Sequence, residues 1–116
     1  MKIGDCIFCK IVEGSIPCSK VYEDEKVLAF DDIHPMAPVH VVIIPKEHIA
    51  TILEVSEDRM AVMDAMISAA LEVSRKKGID QSGFRVVINC NEDGGQVIFH
   101  LHMHVLGGKK LQDGLG

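Results

Sequence analysis

The spacing of hydrophobic and polar residues changes several times along the chain, and each change marks an element. Between Cys6 and Ile16 the apolar residues Ile7, Phe8, Ile11 and Val12 recur like one face of a short helix, which Gly14 and Pro17 end. Strand-like runs follow at residues 20–22 and 26–31, with the polar Glu23-Asp24-Glu25 as the turn of a hairpin. Pro35 and Pro38 mark a loop, and residues 39–44 form a strongly apolar strand stopped by Pro45. Ser56 is the expected N-cap of the one long helix, with Glu57 and Asp58 at its positive dipole end. Met60, Met63, Ile67, Ala70, Leu71 and Ser74 recur at helical spacing, so the methionines are expected to fill the core. Arg75, Lys76 and Lys77 crowd the last turn before Gly78, a C-cap residue. Residues 84–90 and 99–106 read as two further strands around the glycine-rich turn 91–96.

Helix, three strands, helix and two strands predict an α+β domain on a mainly antiparallel sheet. The 116 residues suit a single domain, 1–116, and a hydrophobic content of 47% excludes disorder. The formal net charge is -5 with no long basic run, which argues against gripping a nucleic-acid backbone but leaves room for a small nucleotide. No apolar run spans a bilayer, and residues 1–5 have no signal-peptide core, so no membrane association and a cytoplasmic location are expected. In that setting Cys6, Cys9, Cys18 and Cys90 read as thiols or metal ligands rather than disulfides.

Three stretches carry candidate chemistry. His100, His102 and His104 alternate with Leu101 and Met103, so on a strand the imidazoles line one face while Phe99, Leu101, Met103 and Val105 line the other. Imidazoles gathered on a sheet face can bind metal, bind anions or attack electrophiles, and the alternation does not choose among these. Cys6 and Cys9 are spaced to close on one zinc ion, or are ordinary buried thiols. Any further ligands would be histidines, among them His34, His40 and His48. Phe30 and Asp32 share a strand face, where a carboxylate beside a ring could hold a nucleoside or simply begin a solvated turn.

Together these residues resemble the histidine-triad (HIT) superfamily, and within it the nucleotide-binding branch of purine nucleoside phosphoramidases. The resemblance rests on Ala29-Phe30, Asp32-Ile33, Pro35, Ala37-Pro38, His40, Ile44-Pro45-Lys46 with His48-Ile49, Asn89, Asp93-Gly94-Gly95-Gln96, and His100-x-His102-x-His104-Val105-Leu106-Gly107-Gly108. It covers nearly the whole chain with matching spacing.

The resemblance implies a HIT-like fold of about five strands, one long helix and a short N-terminal helix. It implies hydrolysis at the α-phosphorus of purine nucleoside 5′-phosphoramidates through a nucleotidyl-histidine intermediate. His102 would be the nucleophile, flanked by His104 and His40. Ile7, Phe8, Phe30 and Ile33 would hold the base, Asp32 the ribose, and Asn89, Gly95, Gln96 and Val97 the phosphate side. Val97 stands where members often have serine. In bacterial members that begin with Cys-x-x-Cys, zinc is held at the positions of Cys6, Cys9, His48 and His100 as a structural clamp. The branch forms homodimers through the long helix and the strand before the triad. Two other readings stay open: a dinucleoside polyphosphate hydrolase, and a non-catalytic, zinc-stabilised nucleotide-binding or interaction module.

Overall fold

The computed structural model describes residues 5–115. Its elements run α1 (Ile7–Glu13), β1 (Lys20–Glu23), β2 (Val27–Asp31), β3 (Val39–Pro45), α2 (Met60–Lys76), β4 (Phe84–Val87) and β5 (Met103–Gly107). Two 3-10 turns, Ile52–Glu54 and Glu57–Arg59, lead into α2. All pairings are antiparallel, and the strands lie in the order β1-β2-β3-β5-β4. This is the α+β architecture expected of the sequence, a five-stranded sheet with one long and one short helix.

The central strands are apolar on both faces because a helix covers each face. Val27 and Ala29 of β2, Val41 and Ile43 of β3, and Met103 and Val105 of β5 pack with Met66, Ala69, Ala70 and Val73 of α2. The alternate residues Leu28, Phe30, Val42 and Ile44 pack with Cys6 and Phe8 at the start of α1. Gly108 turns the chain out of β5 at a φ of 90°, where an added Cβ would stand 2.9 Å from that of Pro38.

Three local expectations are corrected. Ser56 caps the 3-10 turn, and α2 proper begins at Met60. Of the six residues at helical spacing, Ala70 and Ser74 are buried and Met63 half-buried, but Met60, expected in the core, is exposed at 53%, as are Ile67 at 48% and Leu71 at 44%. The helix carries two apolar stripes, and the one containing Ala69 and Ala70 faces the sheet because small residues allow close approach. The strands are also shorter than expected, since β4 ends at Val87 and β5 begins at Met103. The Leu101 amide instead donates to the Ile49 carbonyl at 2.7 Å, so the loop after β3 holds the segment carrying His100 and His102. Alternation survives there, with Leu101 in the α2-side core. No helix among the described residues is long and apolar enough to cross a membrane.

Candidate active site and metal centre

Strand register brings the histidines together. Val42 pairs with His104 and His40 with Leu106, so His40 and His104 are diagonal neighbours on adjacent strands. His40 Nε2 lies 2.8 Å from His104 Nδ1. The Met36 amide donates to His40 Nδ1 at 3.0 Å, so neutral His40 carries its proton on Nε2. That proton faces His104 Nδ1 and the Asp32 carboxylate, whose Oδ2 is 3.4 Å away. His104 then carries its own proton on Nε2, as a donor. Burial lowers the pKa of His40 against the pull of Asp32. His104 is pushed down to about 4, first by burial and then by His102 and His40. Both rings are therefore neutral near pH 7.

The tautomer of His102 is set the opposite way. Its Nδ1–H donates to the His100 carbonyl at 2.8 Å, which leaves Nε2 with a free lone pair. Turning the ring over would leave that buried carbonyl without a donor, at a cost of about 1–3 kcal/mol. Burial depresses the His102 pKa, keeping the ring neutral and nucleophilic. Phe8 meets it edge-on at 5.2 Å and 74°. His104 is its other ring neighbour, at 5.1 Å. An imidazole with a fixed lone pair thus stands beside a fixed N–H donor.

Cys6, Cys9, His48 and His100 place four ligand atoms within 4.8 Å of one another. Cys6 Sγ is 3.2 Å from His100 Nδ1, and Cys9 Sγ is 3.1 Å from His48 Nδ1. His100 Nε2–H donates to the Pro45 carbonyl at 2.8 Å, so its Nδ1 lone pair points at the sulfurs. Left as a thiol, Cys9 is pushed up to about 11 by burial and by neighbouring Cys6. Cys9 therefore ionises readily only when a cation replaces its proton. This donor set could hold a metal ion. Asp32, His40 and His104 also cluster within 4.8 Å. The His40 atom facing that cluster bears a proton, however, and freeing it would break the bond from Met36.

Beside the triad lies an apolar cavity of about 270 Å³, bounded by Ile7, Phe8, Phe30 and Ile33 with Asp32 and His34 also in its lining. All four residues expected to hold a base therefore share one hollow. Sequence reasoning missed Ile11, Ile16, Cys18, Val42 and Ile98 in its wall. The i+4 spacing of Ile11 from Ile7 was an available signal, whereas Val42 enters the wall through its pairing with Phe30, which only the folded sheet reveals. Cys18, read from the sequence only as a thiol or metal ligand, gave none. The Asp32 carboxylate is braced by the His34 amide at 2.8 Å.

The turn after β4 is less direct. The Gly95 and Gln96 amides close it by donating to Glu92 and Asn91 carbonyls, each at 3.0 Å. The buried Gln96 side chain accepts from the Asn91 amide and donates to Ala50 and Ile98 carbonyls. It holds the loop in place, and these two amides do not stand free for a phosphate. Asn89 is half-buried, and Val97 is 83% exposed.

Residues 13–111 match the HIT domain family. Cys6 and Cys9 lie just before the matched stretch. The chain is 42% identical over 107 residues to the purine nucleoside phosphoramidase of Escherichia coli (strain K12), spanning 92% of this chain and 90% of that protein. It is 46% identical over 106 residues to an uncharacterized HIT-like protein of Buchnera aphidicola subsp. Acyrthosiphon pisum, spanning 91% and 93%. Its structure resembles that of a HIT family hydrolase from Clostridium thermocellum with a TM-score of 0.95 at 43% identity, covering 98% of this chain and 99% of that one.

Proposed function

The chain belongs to the HIT family and is a hydrolase of that family, and from this premise we propose that it cleaves purine nucleoside 5′-phosphoramidates into nucleoside monophosphate and amine. The observation that carries the reading is the free Nε2 lone pair of His102, fixed by the His100 carbonyl beside the Nε2–H of His104. A relative 42% identical, named a purine nucleoside phosphoramidase, supports the substrate class.

The base enters the apolar cavity, and ribose hydroxyls donate to Asp32 at its mouth. His102 Nε2 attacks the α-phosphorus, the phosphorus–amine bond breaks, and the amine departs with a proton taken from solvent. His104 donates to the phosphoryl oxygens as charge develops there, and His40 holds His104 in the donating tautomer. Asn89 and the turn carrying Gly95, Gln96 and Val97 wall the leaving-group side. Water then attacks phosphorus, the bond to His102 breaks, and nucleoside monophosphate leaves.

Cys6, Cys9, His48 and His100 hold zinc in this reading, since two thiolates and two imidazoles suit its tetrahedral preference. When bound, zinc supplies a closed four-ligand tie between α1, the loop after β3 and the triad segment. The exposed Met60, Ile67 and Leu71 of α2, with Val86 on the edge strand β4, suit a homodimer. Four cysteines outside any disulfide suit a cytoplasmic enzyme.

The test is turnover of adenosine 5′-phosphoramidate, with a dinucleoside polyphosphate run alongside. His102→Ala should lower kcat on the order of 10³-fold or more. Undiminished turnover by that variant would sink the mechanism. A large preference for the polyphosphate would reassign the substrate, and tight nucleotide binding without turnover would make the chain a binding module.

A further inference from the structure

The four residues Cys6-Ile7-Phe8-Cys9 serve two sites at once. The two thiols face His48 and His100. Between them, Ile7 and Phe8 line the apolar cavity. Phe8 also meets the rings of His100 at 5.9 Å, His102 at 5.2 Å and Phe30 at 5.8 Å. His100 in turn faces the sulfurs through Nδ1 and holds His102 through its carbonyl. A change at the thiols therefore reaches the nucleophile by two routes, the His100 carbonyl and the Phe8 ring.

The thiols differ in access. Cys6 is fully buried, whereas Cys9 is partly exposed. Their sulfurs lie within 4.8 Å of each other, and the Cys9 amide donates to Cys6 Sγ at 3.2 Å. An oxidant arriving from solvent meets Cys9 first and finds a second sulfur close behind it.

We propose that Cys6 and Cys9 form a redox latch on His102, in which oxidation by a peroxide joins the two sulfurs, releases the metal ion and frees the nucleophile from its fixed orientation. The Cys9 thiolate attacks one peroxide oxygen, the O–O bond breaks, and with one proton the departing oxygen leaves as water. The Cys6 thiolate then attacks the Cys9 sulfur, the S–O bond breaks, and the hydroxyl leaves with a second proton as water. Two thiolates, one hydrogen peroxide and two protons give one disulfide and two waters, and the divalent ion departs with its charge. The sulfurs are oxidised and the peroxide is reduced. The latch rests on the reading of these four residues as a metal site and of His102 as the nucleophile.

The experiment uses the full chain loaded with zinc and titrated with hydrogen peroxide. A chromogenic chelator reports released zinc, peptide mass mapping reports the sulfur linkage, and ¹⁵N NMR of the imidazoles reports the His102 tautomer. Zinc should leave in step with the Cys6–Cys9 disulfide, and the protected Nδ1–H of His102 should disappear. On the phosphoramidate, kcat should fall about tenfold or more while KM changes less. A thiol reductant with added zinc should restore all four signals. Zinc retained after Cys9 oxidises would overturn the proposal, as would a disulfide to Cys18 or Cys90. A Cys6–Cys9 disulfide with the His102 signature unchanged would also overturn it, and so would loss of the far-UV circular dichroism of the fold. The zinc, mapping and tautomer readouts need no substrate. A chain that ignores phosphoramidates yet passes them keeps the latch and loses only the proposed reaction.

Discussion

Each imidazole has two nitrogens, and backbone groups in this site decide which is available. The Met36 amide, the His100 carbonyl and the Pro45 carbonyl assign His40, His102 and His100 in turn, and His104 follows from His40. One consequence is a pH profile. His104 must stay neutral to accept from His40 through Nδ1 while donating through Nε2. Burial, His102 and His40 lower its pKa from 6.5 to about 4, against the opposing pull of Asp32. The acid limb of kcat/KM should therefore lie well below 6.5, and a limb at or above that value would contradict the buried relay. Stability carries the same sign. Between 6.5 and about 4 the unfolded chain binds a proton at His104 that the folded chain does not. That contribution is fully present above the unfolded pKa and is lost as pH falls through the window, so the urea midpoint should be lower at pH 5 than at pH 7. Alternation in the sequence did reveal that the three histidines share a side. The tautomers were hidden because each depends on where the folded backbone places a carbonyl or amide, near in the chain for His102 and His40 but 55 residues away, at Pro45, for His100.

At the scale of elements, α1 is the vulnerable one. Seven residues are too few for a helix to persist alone. Its attachments are the Cys6 cap, the packing of Phe8, and the thiols facing His48 and His100. Zinc at about a thousandfold excess over its Kd should add about 4 kcal/mol, on the order of 15 °C or more in Tm for a domain of this size. Thermal unfolding with and without a strong chelator measures this, and equal Tm values would remove the structural role. Turn chemistry made most elements legible in the sequence, with Gly14 ending α1 in a left-handed conformation and Gly78 following α2 at a φ of 70°. Met60 was misread as a core residue because helical spacing registers an apolar stripe without saying what covers it. The start of β5 was misread because alternation continues through His100 and His102, although the Leu101 amide bonds outside the ladder.

At the scale of the whole molecule, the exposed stripe of α2 and the open edge of β4 are surfaces that a second copy of the chain could cover. Equilibrium sedimentation should give twice the chain mass, and Leu71→Glu should give a monomer with unchanged far-UV circular dichroism. A monomeric wild-type protein would refute the homodimer. The fold class was legible because each element's period and caps are local. The order β1-β2-β3-β5-β4 was not, because pairing β5 between β3 and β4 joins residues far apart in the chain. That placement also governs timing during synthesis. Strand β5, last in chain order, occupies an interior slot and carries His104. Until it emerges from the ribosome, β3 has an unpaired edge and β4 has no neighbour at all. Closure of the sheet and assembly of the histidine relay are thus one event, and a chain stalled before Met103 should be an aggregation-prone intermediate with neither.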